Sequence, residues 1–159
     1  MRPPPDAEPE GPDMQDFLAA IEIGATVAFS RTVTESDISL FAGISGDFAR
    51  NHIDEAYMRG TPFGGRIAHG LLLLGYTSRA STLMCEACLK GSDAFVPLAL
   101  GFDRVRFLRP VRIGETITIR YAIEGVDVAR GRVTSAVTIE NEAAEAVLAA
   151  THIVKWVPA

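Results

Sequence analysis

The sequence predicts an α+β domain in which an antiparallel sheet curls around one long helix. Three observations carry that expectation. The run GLLLLGYTSRASTLMCEACL, residues 70–89, is long enough for about five helical turns and is apolar on most of its circumference in the first half. Strict alternation of apolar and polar residues recurs late in the chain, as in Ile117, Ile119, Tyr121 and Ile123 against Thr116, Thr118, Arg120, Ala122 and Glu124. One further alternating segment precedes the helix. A helix that apolar must be wrapped by other structure, and strands on both sides of it in sequence can wrap it.

Taken in order, residues 1–13 are rich in Pro, Glu and Asp with nothing apolar to bury, and read as a flexible arm ahead of a single domain, 14–159. Val27, Phe29, Arg31 and Val33 alternate with Ala28, Ser30 and Thr32, the pattern of a first strand. Thr34 then stands three residues before Asp37, close to a capping box, and Ile38, Phe41 and Ala42 follow at helical spacing up to Gly43 or Gly46. IDEAYMRG reads as one or two helical turns closed by Gly60 and Thr61-Pro62. After the long helix, Leu100–Leu108 is a strand stopped by Pro110. Three more centre on residues 117–123, 133–139 and 148–156, with Gly114, Gly125 and Gly131 as punctuation.

A formal charge of -5 and a pI near 5.2 argue against broad nucleic-acid binding, which leaves a basic footprint. No stretch of about 18 unbroken apolar residues and no signal-peptide run is visible, so neither membrane nor export is expected and the cytoplasm is the predicted location. The single CxxC, Cys85 to Cys88, supplies too few ligands for a structural zinc site and reads as buried reduced thiols.

Chemistry concentrates in GISGDFARNH, residues 43–52. Asp47 and His52 would lie about 140° apart on a helix and on opposite faces of a strand, so only a turning loop can unite them. Beyond them, AHGLL places Gly70 at the start of the long helix, where backbone N–H groups lack intrahelical partners and can receive a developing oxyanion. His69 beside it reads either as a ligand contact or, the favoured reading, as a histidine bonded to nearby backbone, fixing the start of the helix. His152 reads as structural or surface.

GISGDFARNHIDEAY, FGGRIAHGLLL and FDRVRFLRPVRIGETI in that order resemble the MaoC-like dehydratases, the group that includes the (R)-specific enoyl-CoA hydratases with a hot dog fold. The resemblance spans roughly residues 20–157. It implies a catalytic dyad at Asp47 and His52 within a segment similar to SGDxNPxH, an oxyanion N–H at Gly70, and loop support from Ser78, nine residues after His69. It implies an acyl-CoA thioester substrate, with coenzyme A part of that substrate, no separate cofactor, no metal, and a homodimer. Where the pattern has Asn-Pro this chain has Ala49-Arg50, so an amide side chain and a stiffening proline are lost from the loop.

Arg50 therefore has two readings, a partner for an anionic group of the substrate or a solvated surface residue. Arg104 and Arg106 share one strand face, with Val105 and Phe107 on the other; together with Arg109 and Arg112 they form a basic run that is either an anchor for coenzyme A phosphates or a solvated face. The competing functions are a hot dog thioesterase and a non-catalytic acyl-CoA binding domain. The Asp-x4-His loop, which thioester hydrolysis does not demand, favours hydration.

Overall fold

A computed structural model describes residues 13–159, so of the arm read over residues 1–13 all but Asp13 lies outside the described residues. Asp13 is already part of the fold. Its carboxylate caps α1 (Met14–Ala19) by accepting the N–H groups of Gln15 (2.6 Å) and Asp16 (3.3 Å). The sequence reading passed over this helix because six residues carry too little periodicity. Its anchor is aromatic: Phe17 stacks on Phe95 at 4.5 Å and meets Trp156 edge-on at 4.9 Å, closing one end of the core.

The alternating segments form five antiparallel strands: β1 (Thr26–Thr32), β2 (Phe95–Phe107), β3 (Thr116–Asp127), β4 (Arg132–Glu140) and β5 (Ala146–Pro158). Their order is β1-β3-β4-β5-β2, so β1 and β2 are the edges. Alternate residues of β3, β4 and β5 point to one face: Ile117, Ile119, Tyr121, Ile123; Val133, Ser135, Val137, Ile139; Leu148, Ala150, His152, Val154, Trp156. All are buried.

Against that face pack α5 (Gly70–Gly75) and α6 (Thr77–Leu89). The expected single helix has a joint at Tyr76, whose N–H is shared between the carbonyls of Leu72 and Leu73. The Thr77 hydroxyl donates to the Leu74 carbonyl at 2.6 Å, a side-chain bond that competes with the helical ladder beside the weak helix former Gly75. The helix is also covered on one side only. Leu73, Thr77, Ala80 and Met84 face the sheet, while Leu71, Gly75, Ser78, Thr82 and Glu86 are exposed, Leu71 to 61%. Full wrapping within one chain is thus not what is found, because the sheet curls over a single flank.

The second correction concerns β2. Its pairing with β5 shifts between Ala99 and Gly101 and again between Asp103 and Arg106, and Arg104 takes a left-handed φ of 52°. The two-face alternation read for Arg104 and Arg106 against Val105 and Phe107 therefore fails, since the bulge inserts residues the partner strand does not match. Arg104 instead donates to Thr151 Oγ1 at 3.2 Å, and Arg106 to the Val105 carbonyl at 2.8 Å. The edge also exposes Val96, Leu98, Leu100, Phe107 and Leu108.

Candidate active site

The segment between β1 and α5 folds as a run of short caps. In α2 (Glu35–Ser45), Thr34 and Asp37 complete the reciprocal capping box, and Gly46 ends the helix with a φ of 76°, a conformation costly for any residue with a Cβ. That left-handed step turns the chain into Asp47. The Asp47 N–H donates to Ser45 Oγ (3.2 Å), and Asp47 Oδ1 accepts the Ala49 N–H (3.2 Å), so a local turn orients the carboxylate. One turn of helix, α3 (Arg50–Ile53), then presents His52, followed by α4 (Glu55–Arg59).

The turn brings Asp47 and His52 near each other. His52 Nε2 lies 3.9 Å from Asp47 Oδ2, with His52 buried and Asp47 open to solvent. The other ring nitrogen, Nδ1, lies 2.8 Å from the Ile67 carbonyl, which can only accept; Nδ1 therefore carries the hydrogen and Nε2 the lone pair. Asn51 Nδ2 donates to that lone pair at 3.0 Å, so a reacting water competes with Asn51 for it. The loop thus still presents an amide to His52, from Asn51.

His69 does more than fix the start of a helix. Its Nε2 donates to the carbonyl of Asp47 (3.0 Å), 22 residues back along the chain, and its ring stacks on His52 at 3.7 Å with an interplanar angle of 25°. Phe41 packs on its other side at 4.8 Å. His69 Nδ1 is buried without a partner. The two imidazoles and Asp47 bring three ligand-type atoms within 4.8 Å of one another, a set that could hold a metal ion, although His69 Nε2 is engaged by the loop backbone.

Gly70 opens α5 beside this pair, and its N–H makes no bond to another described residue. A Cβ there would lie 2.8 Å from the Phe107 ring, so a larger residue at position 70 would have to push that ring aside. Asp47, His52, Gly70, Phe63, Phe107 and Arg109 line one open cavity of about 440 Å³.

The remaining expectations separate from this site. Ser78 lines a second, adjacent cavity of about 530 Å³ between the helix and β5/β2, and makes no side-chain bond to residues 43–52 among the described residues. Arg50 does not line the dyad cavity. Its guanidinium holds Asp54 Oδ2 at 2.9 and 3.0 Å and lies over the Tyr57 ring at 3.9 Å. The Tyr57 N–H, then Arg50, keep the Asp54 carboxyl below its ordinary range. Of the basic run, Arg109 reaches the dyad cavity, while Arg112 donates to the Phe63 carbonyl. Cys85 and Cys88 are free thiols, and burial pushes Cys85 up to about 11.

Sequence reasoning also missed Arg66. It grips Glu35 of α2 with two bonds (2.9 and 2.7 Å) and Glu55 of α4 (3.4 Å), while its N–H bonds Glu55 at 3.1 Å. Nothing but the bare Arg in GGRIAHG signalled a three-way tie.

Comparison with known proteins follows the same residues. A family model described as a MaoC like domain matches residues 18–147. An (R)-specific enoyl-CoA hydratase of Rhodospirillum rubrum is 34% identical over 111 residues, 69% of this chain and 71% of that one. Among solved structures, an (R)-hydratase from A. caviae involved in PHA biosynthesis superposes with a TM-score of 0.74 over 86% of this chain and 97% of that one at 24% identity. A hot-dog-like protein from Thermanaerovibrio acidaminovorans gives 0.63 over 90% and 88% at 15% identity. The fold is the hot dog arrangement.

Proposed function

The chain belongs to the MaoC-like dehydratase family, and from that premise we propose that it is an (R)-specific enoyl-CoA hydratase, reversibly adding water to a trans-2-enoyl-CoA in the cytoplasm. The observation that carries the reading is the state of His52. Its Nδ1–H is committed to the Ile67 carbonyl, which leaves Nε2, once water displaces the Asn51 amide, as a base beside the Asp47 carboxylate, in the cavity that Gly70 also lines.

Water held between Asp47 and His52 gives a proton to Nε2, and its oxygen bonds the β-carbon of the enoyl group. The π electrons move toward the thioester oxygen, where the Gly70 N–H stabilises the enolate. The imidazolium then returns a proton to the α-carbon and is neutral again; the carboxylate at 3.9 Å favours the transient charge. Run backwards, the same steps dehydrate a 3-hydroxyacyl-CoA. No step in this reading uses a metal or a separate cofactor.

The exposed apolar row of β2, at a sheet edge with unpaired backbone, supports a homodimer joined along that strand. Light scattering at micromolar concentration should give about twice the chain mass. The activity is tested by incubating the protein with crotonyl-CoA. Loss of enoyl-thioester absorbance without free thiol supports hydration, release of thiol identifies a thioesterase, and binding without either identifies a sensor.

A further inference from the structure

His52 has one lone pair to offer at Nε2, and Asn51 takes it. Because Nδ1 carries its hydrogen to the Ile67 carbonyl at 2.8 Å, Nε2 of the neutral ring can only accept, and the group standing 3.0 Å from it is the Asn51 side-chain nitrogen. A single lone pair in the plane of the ring takes one good hydrogen bond. The amide therefore occupies the position that a water about to lose its proton must hold, beside Asp47 Oδ2 at 3.9 Å from the same nitrogen.

The amide is built to leave. The bond to His52 is the one hydrogen bond that the Asn51 side chain makes among the described residues, whereas its backbone carbonyl is pinned by the Ile67 N–H at 3.1 Å. A rotamer change of the side chain therefore uncovers Nε2 without moving α3. Asn51 also lines the cavity of about 440 Å³ together with Asp47, His52 and Gly70, so an acyl thioester seated there borders the amide directly. Return is conditional. Nδ2 can face Nε2 only while that nitrogen holds a lone pair, and not while it carries the proton taken from water.

We propose that Asn51 is a positioning residue that gates the base: it holds His52 Nε2 until an acyl thioester fills the cavity, and takes it back once the ring has passed its proton to carbon. The inference rests on the hydratase reading for the thioester and deepens it by assigning part of the binding energy to opening the site. The apparent dissociation constant is the intrinsic one divided by the fraction of molecules already open. A neutral hydrogen bond shifts such an equilibrium by about twofold to tenfold, and that is the affinity lost to opening.

The probe is butyryl-CoA, a saturated thioester that can be neither hydrated nor dehydrated, titrated calorimetrically into the full chain. Asn51→Ala should bind it at least threefold more tightly than wild type, and kcat/KM for crotonyl-CoA should rise in proportion, since the bond removed belongs to the free protein and not to the transition state. Asn51→Leu, of similar bulk but without the amide, should do the same and serves if Asn51→Ala does not fold. Proton–nitrogen NMR follows the gate itself. The side-chain NH2 pair that Asn51→Ala removes from the spectrum should move toward the position of a solvated amide as butyryl-CoA saturates wild type. Binding by either folded variant that is less than threefold tighter, a fall in kcat/KM, an NH2 pair that stays in place at saturation, or no binding of butyryl-CoA to wild type would overturn the proposal. Failure of the hydratase reading shows separately, as tighter binding by the variants and a moving NH2 pair without turnover of crotonyl-CoA.

Discussion

His52 and His152 are both buried and both use Nδ1 for a short hydrogen bond, yet their second nitrogens face different surroundings. His52 Nε2 receives the Asn51 amide and lies 3.9 Å from a solvent-open carboxylate, whereas His152 Nε2 is buried without a partner. Burial alone therefore does not decide what a histidine can do. The partner of Nδ1 sets the tautomer, and the environment of Nε2 decides whether the ring can take a charge.

The difference can be broken most sharply at the dyad. Asp47→Asn and His52→Ala should each lower kcat by about two to four orders of magnitude with far-ultraviolet circular dichroism unchanged. Near-normal turnover in either folded variant would remove the charge-accepting end of the comparison. Gly70→Ala drives a methyl into the Phe107 ring. It should cost about 1–3 kcal/mol of stability, measured by denaturant unfolding, with Gly70→Ala/Phe107→Leu recovering part of the loss. His69→Ala should lower kcat by about tenfold through loss of the Asp47 carbonyl contact with little change in KM, and His69→Gln, whose amide can donate to the same carbonyl, should restore much of it.

His152 sharpens the contrast through pH. Its folded-state value lies below the ordinary 6.5, so as pH falls through 6.5 the unfolded chain binds the proton first and stability drops. The contribution is present in full above 6.5. Melting temperature should decline from pH 6.5 downward, and His152→Leu should flatten that slope. Glu35, held below its ordinary 4.5 by Arg66, acts only at lower pH, so the two windows separate. The smallest effect belongs to Arg50→Ala. With its guanidinium already on Asp54 and Tyr57, kcat and KM for crotonyl-CoA should change less than about threefold.

The strands were legible because period-two alternation survives wherever one sheet face is buried, and β3, β4 and β5 are of that kind. At β2 two bulges shift the period, which no local pattern of residues 95–107 announces. Asp47 and His52 were named as a pair through the resemblance to SGDxNPxH; their spacing permits a joining turn but does not demand one. What escaped were contacts across sequence: the stacking of His69 on His52 and its bond to the Asp47 carbonyl. These depend on where α5 begins relative to the loop, which is a tertiary fact. Arg66 escaped for the same reason, and Arg104 was misassigned because the bulge rotates it.

The tie made by Arg66 has a consequence for the energetics of catalysis. It joins the start of α2, the start of α4 and the stretch leading to His69 with bonds formed inside the folded protein. The entropy lost in ordering the segment that carries Asp47 and His52 is therefore absorbed when the chain folds, and substrate binding need not supply it. Weakening the tie should lower affinity and turnover together as the loop samples unproductive shapes. The activation entropy of the reaction becomes a reporter of a contact far from the reacting carbon.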